Sequence, residues 1–319
     1  MSVVRASGSN NVFYKKQKIE LKNQTKSISY RLSQMIGFLL GARIFVVLVL
    51  AFALYVSTFF LFNQEESLRS FVFDFKVHGI IFCTLLSIVA GGIINQFYDR
   101  EKDKITKPFR TKIQSFLKQK YFLYAYLSLN LVSLGISWAI SFRVFIYLVV
   151  YQFVMWFYSH KISKVLILNN FTFVALSLYP FFGMLIYYKT FSVKILLMAI
   201  FLFLILLIID ILKDTLTKKA DKIFGYTTIP NFFGNKISKI TLIVLQVILY
   251  LISMILVEIK GLHSITAYYF SAGIFVIIFS IYLVLGNSRN FNFLTLNLLR
   301  MWVFIGIVSM LMDGIFTKF

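Results

Sequence analysis

Asn95, Asp99 and Asp103 recur at i, i+4 and i+8 in a charge-dense segment, residues 95–110, that follows a long apolar run. On a helix this spacing puts three oxygen-bearing side chains on one face, fanned over roughly 80°. A carboxylate face beside lysines and arginines suits a divalent cation that holds a diphosphate. A solvated, salt-bridged helix end beside a membrane is the plainer alternative. A second such segment runs from Asp210 to Pro230. Its residues Asp210, Asp214, Thr217 and Asp221 fall within roughly 60° of one another on a helix. Asp210 ends the apolar run Phe201–Ile209, where a carboxylate is costly unless it faces a polar cavity. Gly225 and Pro230 are expected to end that helix and begin a turn. A charged helix end is again the alternative.

Acids are scarce, 12 against 33 Lys and Arg. Six of them lie in these two segments: Asp99, Glu101, Asp103, Asp210, Asp214 and Asp221. Both segments fall in strongly basic stretches. A preference for basic residues on one side of a membrane explains the lysines and arginines. It gives no reason for acids to gather among them.

The elements that must carry these residues follow from composition. The chain has 319 residues, 59% hydrophobic and 14% charged, with a mean hydropathy of +0.82. Soluble domains average about 45–50% apolar and about 25% charged. The expectation is an all-α, polytopic membrane protein with about nine transmembrane helices. They are expected near 36–62, 76–95, 121–140, 142–158, 165–187, 193–212, 240–257, 265–285 and 294–312, with a tight junction at Ser141–Arg143 between the third and fourth. Residues 1–35 read as a basic cytoplasmic tail, and 36–319 as one membrane domain. With the N-terminus inside, the inner segments carry about 24 Lys and Arg and the outer about 7. The loop Asn63–Ser67, with Glu65 and Glu66, is acidic and outside. The C-terminus then lies opposite the N-terminus. The net charge of +21 is read as this inner bias and as attraction to anionic membrane lipid, not as nucleic-acid binding. The single cysteine, Cys83, reads as a buried small hydrophobe. His78, His160 and His263 share no metal-ligand spacing, and only His160, near Tyr158, is placed to meet an acceptor.

Taken together, the two acidic segments resemble the UbiA superfamily of intramembrane prenyltransferases. The first resembles N-D-x-x-D-x-x-x-D followed by N-K-P-x-R, matched here by Asn95, Asp99, Asp103, Lys107, Pro108 and Arg110. The second resembles K-D-x-x-D-x-x-x-D followed by G-x-x-T-L-P, matched by Lys213, Asp214, Asp221, Gly225, Thr228 and Pro230, with Ile229 for Leu. Tyr158, Ser159, Lys161 and Lys164 fit a looser signature after the fourth helix. Arg43, placed inside the first helix, resembles an arginine the family often has there. Gln96 and Thr217 depart from the pattern, each standing where the family has Asp.

The resemblance implies a helical bundle around a central cavity open to the cytoplasmic side and to lipid. It implies Mg2+-dependent transfer of a polyprenyl group from a prenyl diphosphate to a hydrophobic acceptor, aromatic or glycerophosphate-type. Asp99, Asp103, Asp214 and Asp221 would be catalytic. Asn95, Asp99, Asp103, Asp210, Asp214 and Asp221 would hold Mg2+. Arg43, Lys107, Arg110, Tyr158, Lys161, Lys164 and Lys213 would hold the diphosphate. Phe97, Tyr98, Trp156 and Tyr158 are the rings closest to the acidic segments, available to shelter an allylic cation. Arg43 and Arg300 are the basic residues well within spans. The loss of charge at Gln96 and Thr217 motivates an alternative: a member that binds isoprenoid lipid or a partner protein without turnover.

Overall fold

The computed structural model describes residues 37, 39–40, 43–63, 67–114, 119–259, 265–286 and 288–318. The basic tail, the acids Glu65 and Glu66 and His263 lie outside the described residues. The elements are α1 (Ile44–Val56, continued by a π-helical turn Ser57–Phe62), α2 (Leu68–Val72), α3 (Phe75–Thr106), α4 (Pro108–Gln114), α5 (Gln119–Ile140) and α6 (Phe142–His160). A short 3-10 turn, Ile162–Lys164, leads to α7 (Leu168–Tyr188), α8 (Val193–Ile223), α9 (Ile229–Phe232), α10 (Gly234–Glu258), α11 (Ile265–Leu285) and α12 (Arg289–Lys318). All regular structure among the described residues is helical.

Nine helices among the described residues are long and apolar enough to cross a membrane, and they fall on the nine expected stretches. The tight third junction has a simple cause. Ser141 adopts an extended backbone and its Oγ accepts from the Arg143 amide at 3.3 Å, so one residue ends α5 and caps α6. Arg43 is not inside the first helix. It is the residue before α1, in a left-handed conformation (φ 51°, ψ 43°).

At the two acidic segments the helices outrun the apolar spans, which were expected to end near 95 and 212. α3 runs on to Thr106 and α8 to Ile223, just before the Gly225 expected to stop it. At 32 and 31 residues, each is roughly 47 Å long, against a hydrocarbon core of about 30 Å. The apolar stretch ends at the membrane, but the residues beyond it are good helix formers joined by i,i+3 and i,i+4 pairs, so nothing stops the helix. Both stop at the next turn signal. Pro108 opens α4 and Pro230 lies in the first turn of α9, positions where the missing N–H costs nothing. Gly225, at φ 71°, makes the turn after α8.

α3 and α8 are also the most enclosed spans. Their apolar windows are 56% and 50% buried, against 17% for α5. Leu204, Ile205, Leu207, Ile208, Ile211 and Leu212 of α8 are buried around much of its circumference, as a central helix requires. They pack with Leu242 and Leu249 of α10, Ile277 of α11 and Leu299 and Trp302 of α12. α3 packs in the other half with Met184 of α7 and with Leu148 and Tyr151 of α6.

Facing spans are drawn close by small residues and tied by polar pairs. Ser87, Ser133 and Gln152 form a buried knot between α3, α5 and α6, with contacts of 2.9–3.2 Å. Tyr147 and Tyr179 exchange hydroxyl-to-carbonyl bonds across α6 and α7 at 2.5 and 2.9 Å. Gly183 admits the Tyr147 ring, since a Cβ there would lie 2.8 Å from its Cε1. Gly183→Val is therefore expected to cost about 1–3 kcal/mol through overpacking, read as a lower unfolding temperature in detergent. An unchanged midpoint would mean that the ring can move aside freely.

Candidate active site

The overrunning ends of α3 and α8 bring the two acidic segments together. Lys102 of α3 pairs with Asp221 of α8, Nζ to Oδ1 at 2.5 Å. The Tyr226 hydroxyl, just past α8, donates to Oδ1 of Asp99 on α3. Lys102 also lies 3.8 Å above the Tyr226 ring centroid. Asp99 and Asp221 thus meet around a single tyrosine. The Tyr158 phenol on α6 lies within electrostatic reach of Asp99, Asp210, Asp214 and Lys213, so it faces both segments.

Along α8 the carboxylates are held one by one. Asp210, Asp214 and Asp221 are 3%, 5% and 0% exposed. Buried charge must be paired or hydrogen-bonded. Lys213 meets Asp210 Oδ1 at 2.7 Å. Asn170 Nδ2, from α7, donates to Asp210 Oδ2 at 2.8 Å and to Asp214 Oδ2 at 2.9 Å. Thr217 Oγ1 donates to Asp221 Oδ2 at 2.7 Å. Lys213 also sits over the Phe173 ring at 5.1 Å.

On α3, Asn95 Nδ2 donates to Asp99 Oδ2 at 3.1 Å, which leaves the Asn95 carbonyl oxygen as a further acceptor. Asp103 is committed elsewhere, to Lys107 at 2.8 Å and Thr106 at 3.3 Å. Arg110 donates from Nη2 to Gln96 Oε1 at 3.2 Å. Lys107 and Arg110 lie near Asp103, and Arg43 lies near both of these cations. The Lys107 pKa is lowered, first by burial and then by Arg43 and Arg110, with Asp103 opposing. That of Arg110 is lowered by burial and by Arg43. Three neighbouring cations with one carboxylate among them leave an anion-seeking corner. The Tyr226 pKa is raised by burial and by the charges of Asp99 and Asp221. The phenol keeps its proton through the neutral range.

The remaining candidates are more peripheral. Lys164 lies 5.4 Å from the Tyr226 ring centroid. Its carbonyl accepts from the Thr227 amide at 3.1 Å, which ties the loop after α6 to the loop after α8. Lys161 is exposed at the C-terminal end of α6. His160 stacks on Trp156 and meets the edge of Tyr98, each at 5.4 Å. These three rings form their own cluster. Arg300 is exposed on α12.

Asn170, Tyr226 and Lys102 join the site although their types and spacing gave no role to them. A buried Asn within an apolar span is a signal of its own, since intramembrane polar groups are retained for partners. Tyr226 and Lys102 carry no such mark.

Among the described residues no three Asp, Glu, His or Cys side chains converge as a closed metal cage. The donors nonetheless fit Mg2+, a hard ion that takes oxygen ligands. It binds through one or two carboxylates, keeps waters and takes phosphate oxygens from its substrate. Asp99 with Asn95, and Asp214, offer such oxygens.

A digeranylgeranylglyceryl phosphate synthase of Methanosphaera stadtmanae is 28% identical over 176 residues, 54% of this chain and 64% of its own length. The chain thus spans somewhat less than two thirds of that curated relative. A solved structure concerned with digeranylgeranylglyceryl phosphate synthase in membranes superimposes with a TM-score of 0.68 at 18% identity, covering 88% of this chain and 99% of that one. A UbiA homologue from Archaeoglobus fulgidus bound to GPP and Mg2+ gives 0.63 at 15% identity, covering 86% and 98%. At these identities the structural likeness speaks to the fold. The UbiA prenyltransferase family model matches residues 68–304. That stretch takes in seven of the nine spans whole and the first half of the last, with every polar contact described between α3, α7 and α8, and the chain belongs to the UbiA prenyltransferase family.

Proposed function

We propose that this chain transfers a prenyl group from its diphosphate to a hydrophobic acceptor within the membrane, with Mg2+ at the acidic face. One observation carries the reading. The two acidic helices meet through Lys102–Asp221 and Tyr226–Asp99, with a surplus of cations beside them. Both signs at close quarters suit a metal-bound diphosphate. Asn95, Asp99, Asp214 and Asp221 would supply oxygens to Mg2+. Bound there, the ion would neutralise charge building on the departing diphosphate. Arg43, Lys107 and Arg110 on one side, and Lys161, Lys164 and Lys213 on the other, would grip its oxygens. Tyr158 and Phe173, beside Lys213, would face the allylic end.

A glycerophosphate-type acceptor is preferred to an aromatic one. The names of the matched relatives support this, as does the basic corner at Arg43, Lys107 and Arg110, which could take an acceptor phosphate. The excess of lysine and arginine near the acidic ends supports a cytoplasmic site.

The test is a membrane preparation containing this chain, given Mg2+, radiolabelled geranylgeranyl diphosphate, and prenylglyceryl phosphates and aromatic acids as acceptors. Labelled product with a glycerophosphate is expected. Product only with aromatics overturns the acceptor assignment. Diphosphate binding without turnover on any acceptor overturns the enzymatic reading in favour of a lipid-binding role. Arg110→Ala is expected to raise the KM for the diphosphate about 10- to 100-fold. That corresponds to about 1.5–3 kcal/mol for a charge-assisted bond. Unchanged KM would place Arg110 outside the binding corner.

A further inference from the structure

We propose that Arg300 and Asn297 of α12 form a binding site for the phosphate of an anionic membrane lipid. The site is on the lipid-facing side of the bundle and does not depend on the prenyl-transfer reading.

Arg300 carries its charge inside a spanning helix. Asn292 Nδ2, near the start of α12, donates to Thr215 Oγ1 of α8 at 3.4 Å, which sets the two helices level there. Thr215 is three residues past Leu212, where the apolar span of α8 gives way to Lys213. Arg300 is eight residues beyond Asn292. At 1.5 Å per residue its Cα therefore lies roughly 7 Å inside the apolar layer. The side chain is exposed. Residues 293, 297, 300 and 304 share one face of α12 by their spacing, and Phe293 and Phe304 on it are 57% and 40% exposed. Leu299 and Trp302 take the opposite side, in the core. A face of a spanning helix with two open phenylalanines is one that meets lipid.

Neither polar group on this face has a partner in the protein. The side chains of Arg300 and Asn297 make no ion pair or hydrogen bond among the described residues. A charge at this depth is costly and calls for a counter-charge, and no acid among the described residues is placed to be it. Asp103, Asp210, Asp214 and Asp221 are buried. Asp99 is held by Tyr226 and Asn95, and Glu101 pairs with Lys104. Asp74, before α3, and Glu258, closing α10, lie at the opposite end of the bundle. Asp313 is further along α12, at that same far end, where Thr266 donates to it. A second copy of this chain thus brings no open carboxylate to the level of Arg300. The bilayer does supply an anion, the phosphate of its lipids. Snorkelling along the helix brings the guanidinium up to that layer. Its planar fork takes two phosphate oxygens, and the Asn297 amide, one turn away, offers a further N–H. Phe293 and Phe304 flank the acyl chains. An anionic head suits the site better than a zwitterionic one, which sets an ammonium beside the arginine.

The test uses the purified full chain in neutral detergent, with phosphatidylglycerol or phosphatidylcholine added and bound lipid followed by native mass spectrometry. Wild type is expected to hold one phosphatidylglycerol about tenfold more tightly than phosphatidylcholine, the effect of one charge-assisted contact. Arg300→Met is expected to lose that preference, together with the rise in unfolding temperature that phosphatidylglycerol gives the wild type. Methionine suits a lipid-facing helix, so the variant keeps its fold. Equal affinity of the wild type for both lipids overturns the proposal, whether or not any variant folds. An unchanged preference in Arg300→Met also overturns it. Displacement of the bound phosphatidylglycerol by equimolar prenylglyceryl phosphate gives the site to the acceptor and overturns the assignment to a membrane lipid. A dimer that dissociates in Arg300→Met gives the site to a second copy and overturns it too. A chain that transfers no prenyl group is still expected to bind phosphatidylglycerol here, so the two readings fail separately.

Discussion

Asp99→Asn is expected to lower kcat/KM for the prenyl diphosphate about 1000-fold and to weaken Mn2+ binding in parallel. The change keeps shape and keeps an oxygen for the Tyr226 hydroxyl, so the fold should survive. It removes one of the two carboxylates in the acidic segments that no lysine neutralises. An ion bound mainly through carboxylate and phosphate oxygens cannot spare that charge. Losing one preorganised electrostatic contact to a developing anion typically costs about 100- to 1000-fold, and loss of the ion itself adds to this. Tyr226→Phe is the matching control. It removes the hydroxyl that holds Asp99 but not the charge, and should cost about tenfold. Asp99→Asn activity within tenfold of wild type would take Asp99 out of the reacting centre. Equal losses in both variants would make Asp99 a positioning group.

Asn170→Leu is expected to have the largest effect on the folded state. Asn170 is fully buried, and its one amide nitrogen serves both Asp210 and Asp214. Leucine fills similar volume without a donor. Asp210 keeps Lys213, but Asp214 would lose its hydrogen-bond donor while remaining 5% exposed. Hydrogen bonds to charged groups contribute about 1.5–3 kcal/mol each, and an uncompensated buried charge costs more. A destabilisation of about 3–5 kcal/mol follows, seen as a fall of several degrees in the unfolding temperature. Activity should fall with it, because nothing else from α7 would fix Asp214. A variant with wild-type stability would show that Asp214 does not depend on Asn170.

The two acidic segments were legible because their information is local. Spacing of four residues on a helix is a property of the chain alone, and the pairs Asn95–Asp99 and Thr217–Asp221 realise it directly. Asp103 shows the limit of that reasoning. It has the right spacing, yet it is taken by Lys107, one turn further on. The span limits near 95 and 212 are not the helix limits, for a related reason. Hydropathy marks where a span leaves the membrane, and helix propensity does not stop there. Lys, Glu and Asp beyond Asn95 and Leu212 kept both helices going until Pro108 and Gly225.

The amino-acid sequence by itself determined nine apolar spans, two acid-bearing helix faces and the basic residues around them, since hydropathy and the 3.6-residue period are written within twenty residues of any point. Only the tertiary structure decided which acid meets which partner. Asn170 stands 40 and 44 residues from its two carboxylates and Tyr226 stands 127 from Asp99. Lys102 reaches an acid on another helix altogether. Such pairings depend on how nearly uniform apolar helices pack. In a membrane the faces that touch lipid and the faces that touch protein draw on the same side chains.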